Sequence, residues 1–465
     1  MADVRRERDS MGEVTVPEDA YYGASTERAR QAFQISALRF PRRFIWALGL
    51  IKAAAARVNT SLQLLPRPLG EAIERAALEV AEGKLDKEFV LDVFQTGSGT
   101  STHMNANEVI ATRARELLGR SRADREAVHP NDHVNLCQSS NDVFPTAIHV
   151  AALDALERHT LPALRELAAA FEQKAEEFAS VVKAGRTHLQ DAVPLTLGQE
   201  FSGYASTIRH GIGRLENTRP HIAELAIGGT AVGTGLNAHP EFRRRVITEL
   251  RQLTGLMFSE AKNPFEALQQ RDAAVELSGA IRTVAVGLMK ICNDLRLLAS
   301  GPRTGLAEIE LPAIQPGSSI MPGKVNPVIP EAVNMVCARL LGNDVTIAVS
   351  GVNGNLELNT MMPIIAYALL ESLELLGNAA ALLAEKCVRG IQANRGRCHE
   401  HAEQSLALIT VIAPRIGYDE AARLYKIALE RNASIREVLL AEGKLSSAEV
   451  DELLDLERMT RGGRL

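Results

Sequence analysis

Aromatic side chains are scarce: one Trp, six Tyr and twelve Phe among 465 residues, 4% of the chain. Sheets draw on aromatic and β-branched residues, so this scarcity beside abundant Ala, Leu, Glu and Arg argues against a mainly β fold and for helices. Cysteine is sparse too. Cys137, Cys292, Cys337, Cys387 and Cys398 are odd in number, widely spaced and free of C-x-x-C pairs. That argues against a disulfide framework or structural zinc and suits a reducing compartment. Neither charge sign dominates: the net charge is −5 and the pI near 6.2, which leaves no electrostatic footprint for nucleic acid or an anionic membrane. The opening MADVRRERDSMGEV has no apolar core of a secretory signal, and no uncharged apolar run is long enough to span a bilayer; the longest apolar segments carry Glu371 and Glu374. A soluble cytoplasmic protein with no membrane or nucleic-acid partner is the expectation. A GxxxxGK[ST] phosphate loop is also missing, since Lys324 is followed by Val325.

What is present is helical periodicity. From about Arg271 to Ser300, apolar residues fall at Ala274, Leu277, Ile281, Val284, Leu288, Ile291, Leu295 and Leu298, alternating steps of three and four. That is a heptad seam. A second helix is predicted over roughly 151–183, with Leu153, Leu156, Leu164, Leu167, Phe171, Phe178 and Val182 on one stripe; Thr160 interrupts it and Pro162 bends it. A third lies near 364–388, with Ile365, Leu369, Leu376, Leu383 and Cys387 aligned. Helices this long cannot bury their stripes in a small monomer, so a bundle is inferred, one that subunits can share. The length exceeds one ordinary core. The boundaries read as an N-terminal helical domain at 1–138, a central long-helix bundle at 139–395 and a small C-terminal helical domain at 396–465. Its last helix is predicted to start at Ser446, with Glu449 completing a capping box.

Polar and Gly-rich strings fall between the helices, as on a rigid scaffold that carries chemistry on its loops. QTGSGTSTHMN, 95–105, sets Ser98, Thr100, Ser101 and Thr102 beside Gly97 and Gly99, a nest for an anion, though such loops often merely cap helices. Ser139, Ser140 and Asn141 precede an apolar stretch and alone read first as an N-cap run for a helix starting near 145–151. Thr187 and His188 follow Gly185 and precede Pro194, which favours a constrained loop around a side chain suited to proton exchange near neutral pH. GGTAVGTGLN, 228–237, has helical flanks and is not a dinucleotide loop. CHEH at 398–401 looks metal-like, but a solvated helix end is the better reading because no partner ligands are evident. GSSIMPGKVNP, 317–327, is the densest: two hydroxyls, a lysine, an amide, two glycines and two prolines. Such a loop can hold a carboxylate and take a proton from the carbon beside it.

That last string matches the signature of the fumarase/aspartase superfamily. Together with ERDSMGEVTVP, YYGASTERA, QTGSGT, HPND, SSND, GRTHLQDAVPLTLGQE, GGTAVGTGLN, GNDV and IGYDEAA, it makes nearly the whole chain resemble the class II fumarases. The signature alone leaves aspartase, argininosuccinate lyase and adenylosuccinate lyase open. His188, SSND and GGTAVGTGLN take the fumarase form where aspartases carry Gln, STND and GATAIGTGLN. The alternatives kept are an aspartate ammonia-lyase and a non-catalytic structural relative.

The resemblance implies a mostly α, three-domain fumarase/aspartase-like fold with a central long-helix bundle shared in a homotetramer. It also implies active sites shared by three subunits, a small dicarboxylate substrate and no cofactor or metal. The reaction implied is reversible hydration of fumarate to L-malate, a step of the tricarboxylic acid cycle. Ser318 matches the family's catalytic serine, His188 its other proton-transfer residue and Glu331 that histidine's partner. Lys324 and Asn326 are suited to an aci-carboxylate intermediate, and Ser98, Thr100, Ser139, Ser140, Asn141, Thr187 and Ser319 to orienting the substrate carboxylates. His129, Asn131 and Asp132 match a second anion site. Three departures stand out: Glu126 where some relatives are basic, His103 where fumarases usually have Asn, and Leu136-Cys137 for a common Lys-Ser. His103 and Leu136-Cys137 are expected close enough to the site to alter affinity or pH dependence.

Overall fold

A computed structural model describes residues 4–463. The chain divides into two units. The first holds the described residues up to Pro162 together with Gly213–Ala285 and Ala338–Gly377, and the second holds Ala163–Ile212, Val286–Cys337 and the described residues from Asn378 onward.

In the first unit, helices Arg42–Ser61 and Arg67–Ala81 pack through small residues, with Ala53, Ala54, Ala76 and Ala77 all buried. Gly49 is required at their crossing, because a Cβ there would stand 2.6 Å from the Ala81 backbone nitrogen. Phe40, Phe44 and Phe144 form an aromatic cluster beside them. An antiparallel hairpin, Val4–Asp9 with Gly12–Pro17, precedes the helices.

The heptad seam becomes helix Asp272–Leu298, and all eight of its predicted apolar positions are buried. The third predicted helix is Met362–Lys386, with all five aligned residues buried. The second is corrected at both ends. It begins at Ser140, runs to Ala155, loosens into a π-turn at Leu156–Thr160 and continues as Leu161–Glu177. The π-turn falls where Thr160 is expected to interrupt the helix, and the Thr160 hydroxyl donates to the Leu373 carbonyl at 2.9 Å and to the Ala155 carbonyl at 3.3 Å. Val182 is not helical but opens a strand. The periodicity also overlooked a 25-residue helix, Val328–Val352, that starts immediately after the signature string. That helix and Met362–Gly390 are long and apolar enough to cross a membrane by length and composition, but neither is uncharged: the first carries Glu331, Arg339 and Asp344 and the second Glu371 and Glu374. Arg339 and Glu371 pair from them at 2.9 Å.

In the second unit, strands Val182–Thr187 and Gln190–Thr196 form an antiparallel hairpin, and Phe171, Phe178, Phe201 and Tyr204 form an aromatic cluster between the helices on either side of it in the chain. Toward the C-terminus, short helices enclose Leu408, Ile412, Leu424, Val438, Leu439, Val450 and Leu453. Ser446 and Glu449 form the predicted capping box, but helix Ser447–Leu453 is not the last; Leu456–Met459 follows it.

Candidate active site

The predicted site residues divide between the units. Ser98, Thr100, Ser139, Ser140 and Asn141 fall in the first, with His129, Asn131 and Asp132; Thr187, His188, Ser318, Ser319, Lys324, Asn326 and Glu331 fall in the second.

In the first unit, Ser98 and Thr100 share a hydrogen bond of 2.7 Å at the start of helix Thr100–Leu117. Gly99 has φ +76°, and the ring of Phe144 occupies the space a Cβ would need, so the loop packs directly on the helix that Ser140 opens. Ser139 is that helix's N-cap: its Oγ accepts from the Asn141 amide at 3.2 Å while Asp142 Oδ1 accepts from the Ser139 amide at 2.9 Å. The capping reading of this run therefore holds, with the helix five residues earlier than the lower bound of 145. The same residues also reach the 228–237 string. Asp142 Oδ2 accepts from the amides of Gly228 and Thr230, each at 2.9 Å, and Asn141 Nδ2 donates to the Ala231 carbonyl at 2.8 Å. Burial pushes the Asp142 carboxyl up to about 6, against the three backbone donors and Lys52.

His103 sits behind this helix start. Its Nδ1 is 2.7 Å from Ser140 Oγ and its Nε2 is 2.7 Å from Lys52 Nζ, with both His103 and Lys52 fully buried. Burial holds the His103 imidazolium well below its ordinary value, and the Lys52 charge pushes the same way. Cys137, at φ +65°, is buried, and burial raises its thiol.

The second anion string is ordered around His129, whose Nδ1 lies 3.1 Å from Asp132 Oδ2 and whose Nε2 lies 3.3 Å from Arg125 Nη2. Arg125 thus supplies a cation beside the acidic Glu126. Burial lowers the His129 pKa, opposed by Asp132 and assisted by Arg125 and His133.

In the second unit, His188 and Leu189 are the two central residues of the hairpin turn, at φ +55° and +60°. Positive φ at both positions is the geometry of a tight two-residue hairpin turn, which non-glycine residues seldom adopt. It leaves His188 exposed at the tip, the constrained loop predicted for it. A cleft of about 610 Å³ is lined by Arg186, Thr187, His188, Lys290 and Asp294. Another cleft, of about 650 Å³, lies among the C-terminal helices and touches none of the predicted residues.

The hairpin is anchored on a buried carboxylate. Glu308, fully buried, takes Arg186 Nη1 at 2.8 Å, Lys183 Nζ at 3.2 Å and His401 Nδ1 at 2.9 Å. Burial alone would raise the Glu308 pKa; Lys183, His401 and Arg186 outweigh it and bring it below the usual value. The reading of 398–401 as a solvated helix end needs correction, because Cys398 is buried and His401 joins this network from helix Arg395–Gln404. Among the described residues, no group of three or more His, Cys, Asp or Glu is placed to hold a metal.

The signature loop closes on itself. The Gly317 amide donates to the Lys324 carbonyl at 2.8 Å, and Asn326 Nδ2 donates to the Gly317 carbonyl. A Cβ at Gly317 would lie 2.3 Å from the Lys324 oxygen, so only glycine permits this closure. Ser318 Oγ accepts from the amides of Ile320, at 3.2 Å, and Met321, at 2.9 Å. Lys324 and Ser319 are exposed. Glu331 lies in the first turn of helix Val328–Val352, and among the described residues no hydrogen bond or ion pair joins it to His188.

The comparisons with known proteins cover almost the full length. A family model described as lyase matches residues 12–342, and one described as the fumarase C C-terminus matches 408–461. The fumarate hydratase class II of Halobacterium salinarum is 54% identical over 463 residues, 100% of this chain and 98% of that protein. The chain belongs to the class II fumarate hydratases. The Neisseria meningitidis member is 52% identical over 450 residues, 97% of each chain. The crystal structure of the class II fumarase from Schistosoma mansoni superposes with a TM-score of 0.96 at 42% identity, over 98% of this chain and 99% of that one. A class II fumarate hydratase therefore carries the mostly helical fumarase/aspartase-like fold expected of it, and it is a lyase.

Sequence reasoning missed four residues that pack against the candidate site residues: Lys52, Asp142, Lys183 and Glu308. Lys52 left a signal, a lone cation in the apolar run IKAAAA on the stripe shared with Leu48 and Ala55. Glu308 left none, since its three partners come from distant segments.

Proposed function

We propose that the protein catalyses the reversible hydration of fumarate to L-malate by general acid–base chemistry through an aci-carboxylate intermediate. The observation that carries the reading is the pair of backbone amides donating to Ser318 Oγ inside a self-closed loop. A serine hydroxyl is a weak base at neutral pH, and it becomes useful only where its alkoxide is stabilised. Two fixed amide donors and the Lys324 charge are the groups that do so.

In the malate-to-fumarate direction Ser318 removes a C3 proton, and the charge spreads into the adjacent carboxylate. Lys324 and Asn326 stabilise that charge, which is where most of the rate enhancement arises. His188, acting through a bound water and partnered by Glu331, protonates the departing hydroxide at C2. Ser98, Thr100, Ser139, Ser140, Asn141, Thr187 and Ser319 hold the two carboxylates. His129, Asn131 and Asp132, with Arg125, form a second dicarboxylate or anion site.

The active assembly is a homotetramer in which three subunits contribute to each site. Helix Val328–Val352 supports this: Met335, Val345, Val349 and Val352 are exposed along it, an apolar face that an isolated chain leaves in water. The protein works in the cytoplasm, within the tricarboxylic acid cycle.

The test is fumarate's ultraviolet absorbance after adding L-malate, and separately L-aspartate, to protein treated with chelator. A rise with malate alone supports the reading. A rise with aspartate alone would make the chain an ammonia-lyase, and no rise with either would remove the hydratase assignment.

A further inference from the structure

Lys52 Nζ has three partners: His103 Nε2 at 2.7 Å, Gln138 Oε1 at 2.9 Å and Asn135 Oδ1 at 3.1 Å. The two amides present their oxygens because their nitrogens are already engaged. Asn135 Nδ2 donates to the Gln138 carbonyl at 3.2 Å, and Gln138 Nε2 donates to the carbonyls of Val134 and Leu136, each at 3.1 Å. Three acceptors match the three N–H bonds of an ammonium. His103 Nε2 must then offer its lone pair, and the imidazole proton resides on Nδ1, facing Ser140 Oγ at 2.7 Å. A hydroxyl that receives this bond is free to turn its own O–H elsewhere. Ser140 is half-buried at the first position of its helix, so its open side is the side a ligand would approach.

The competing arrangement has an uncharged Lys52 accepting from His103 Nε2–H. Ser140 would then donate to Nδ1 and show only lone pairs outward, which repel a carboxylate. Charge balance decides between them. Asp142 is fully buried, its carboxylate accepts three backbone N–H bonds, and Lys52 is the cation that acts on it. Burial pulls the Lys52 ammonium's pKa well below its ordinary value, and Asp142 offsets only part of that. A buried carboxylate deprived of its cation is the costlier state.

We propose that His103 is a positioning residue: held in the Nδ1–H tautomer by Lys52, it donates to Ser140 and thereby turns the serine hydroxyl outward as a donor to a substrate carboxylate. The inference rests on the reading of Ser140 as a carboxylate contact.

The direct test is long-range proton–nitrogen NMR on the full-length protein labelled with nitrogen-15 histidine, between pH 6 and 8. A protonated Nδ1 with a bare Nε2 at His103 is the expected result; a protonated Nε2, or an imidazolium, overturns the proposal. Kinetics supply a second readout. His103→Gln is expected to raise KM for fumarate about tenfold with a smaller change in kcat, as for a lost hydrogen bond to an ionised ligand. Adding it to Ser140→Ala is expected to do no further harm, and additive effects in the double variant would contradict action through Ser140. Failure of the wild type to hydrate fumarate would remove the functional reading, whereas the tautomer of His103 is measured without turnover.

Discussion

Arg186 Nη1 meets the buried carboxylate of Glu308 at 2.8 Å, two residues before His188 leads the hairpin into its turn. His401 binds the same oxygen at 2.9 Å and Lys183 the other at 3.2 Å. The tip of the hairpin is exposed and strained, and its base is tied to a charge cluster out of water. Glu308→Gln keeps the shape but leaves Arg186 without its anion and Lys183 with Glu200 alone, at 3.3 Å. A loss of about 3 kcal/mol is expected, the scale for breaking a buried ion pair on one side. It reads as a lower urea midpoint, together with a fall in kcat from a loosened His188. Unchanged stability and turnover would mean that the network does not anchor the hairpin.

Asp142 gives a pH dependence with a definite sign. Its carboxyl is pushed up to about 6 from an ordinary 3.8, so between those values the folded chain binds more protons than the unfolded one. The stability contributed by this group is complete below pH 3.8 and is withdrawn as pH rises toward about 6. Asp142→Asn should flatten that part of the profile. Urea unfolding of both proteins at pH 4.5 and pH 6.5 checks it, and an identical slope in the two would contradict it.

All five cysteines are buried. Burial pushes Cys337, Cys387 and Cys398 up to about 12, and raises Cys137 and Cys292 as well. Thiolates are the reactive form, so the native protein should resist a thiol-specific disulfide reagent and react at five sites only in denaturant. Rapid native labelling, of Cys137 above all, would overturn this.

Gly317→Ala tests the closure of the signature loop. The added methyl would stand 2.3 Å from the Lys324 carbonyl oxygen and 2.8 Å from the Asn326 amide. Displacing the loop by about 1 Å is expected to cost about a hundredfold in kcat. The loop is largely exposed, so the melting temperature should move little. A fully active variant would mean that the closed loop is not the working one.

Much of this was legible in the sequence, for identifiable reasons. The helices at 272–298 and 362–386 announce themselves by seams whose apolar residues are all buried. Helix Val328–Val352 escaped because apolar residues surround it, with Met335, Val345 and Val349 outside as well as Val333 and Ile347 inside, so no stripe stands out. The strand at Val182 escaped because the helical stripe before it runs on to Phe178 in the same period. The chemistry-bearing strings were visible as dense polar loops, and Ser318, His188 and Ser139 all sit in the constrained turns or caps their neighbours predict. What supports them was not. Lys52 reaches His103 across 51 positions, and Asp142 reaches Gly228 across 86. Such pairings exist only once helices have packed.

The central claim is that Ser318 takes the C3 proton of malate. Its most direct test is proton NMR of L-malate in deuterated water with the wild type and with Ser318→Ala. The wild type should exchange one C3 proton as it forms fumarate, and Ser318→Ala should slow both processes together by about a thousandfold while remaining folded. Exchange at the wild-type rate in Ser318→Ala would contradict the account and assign the base to another residue.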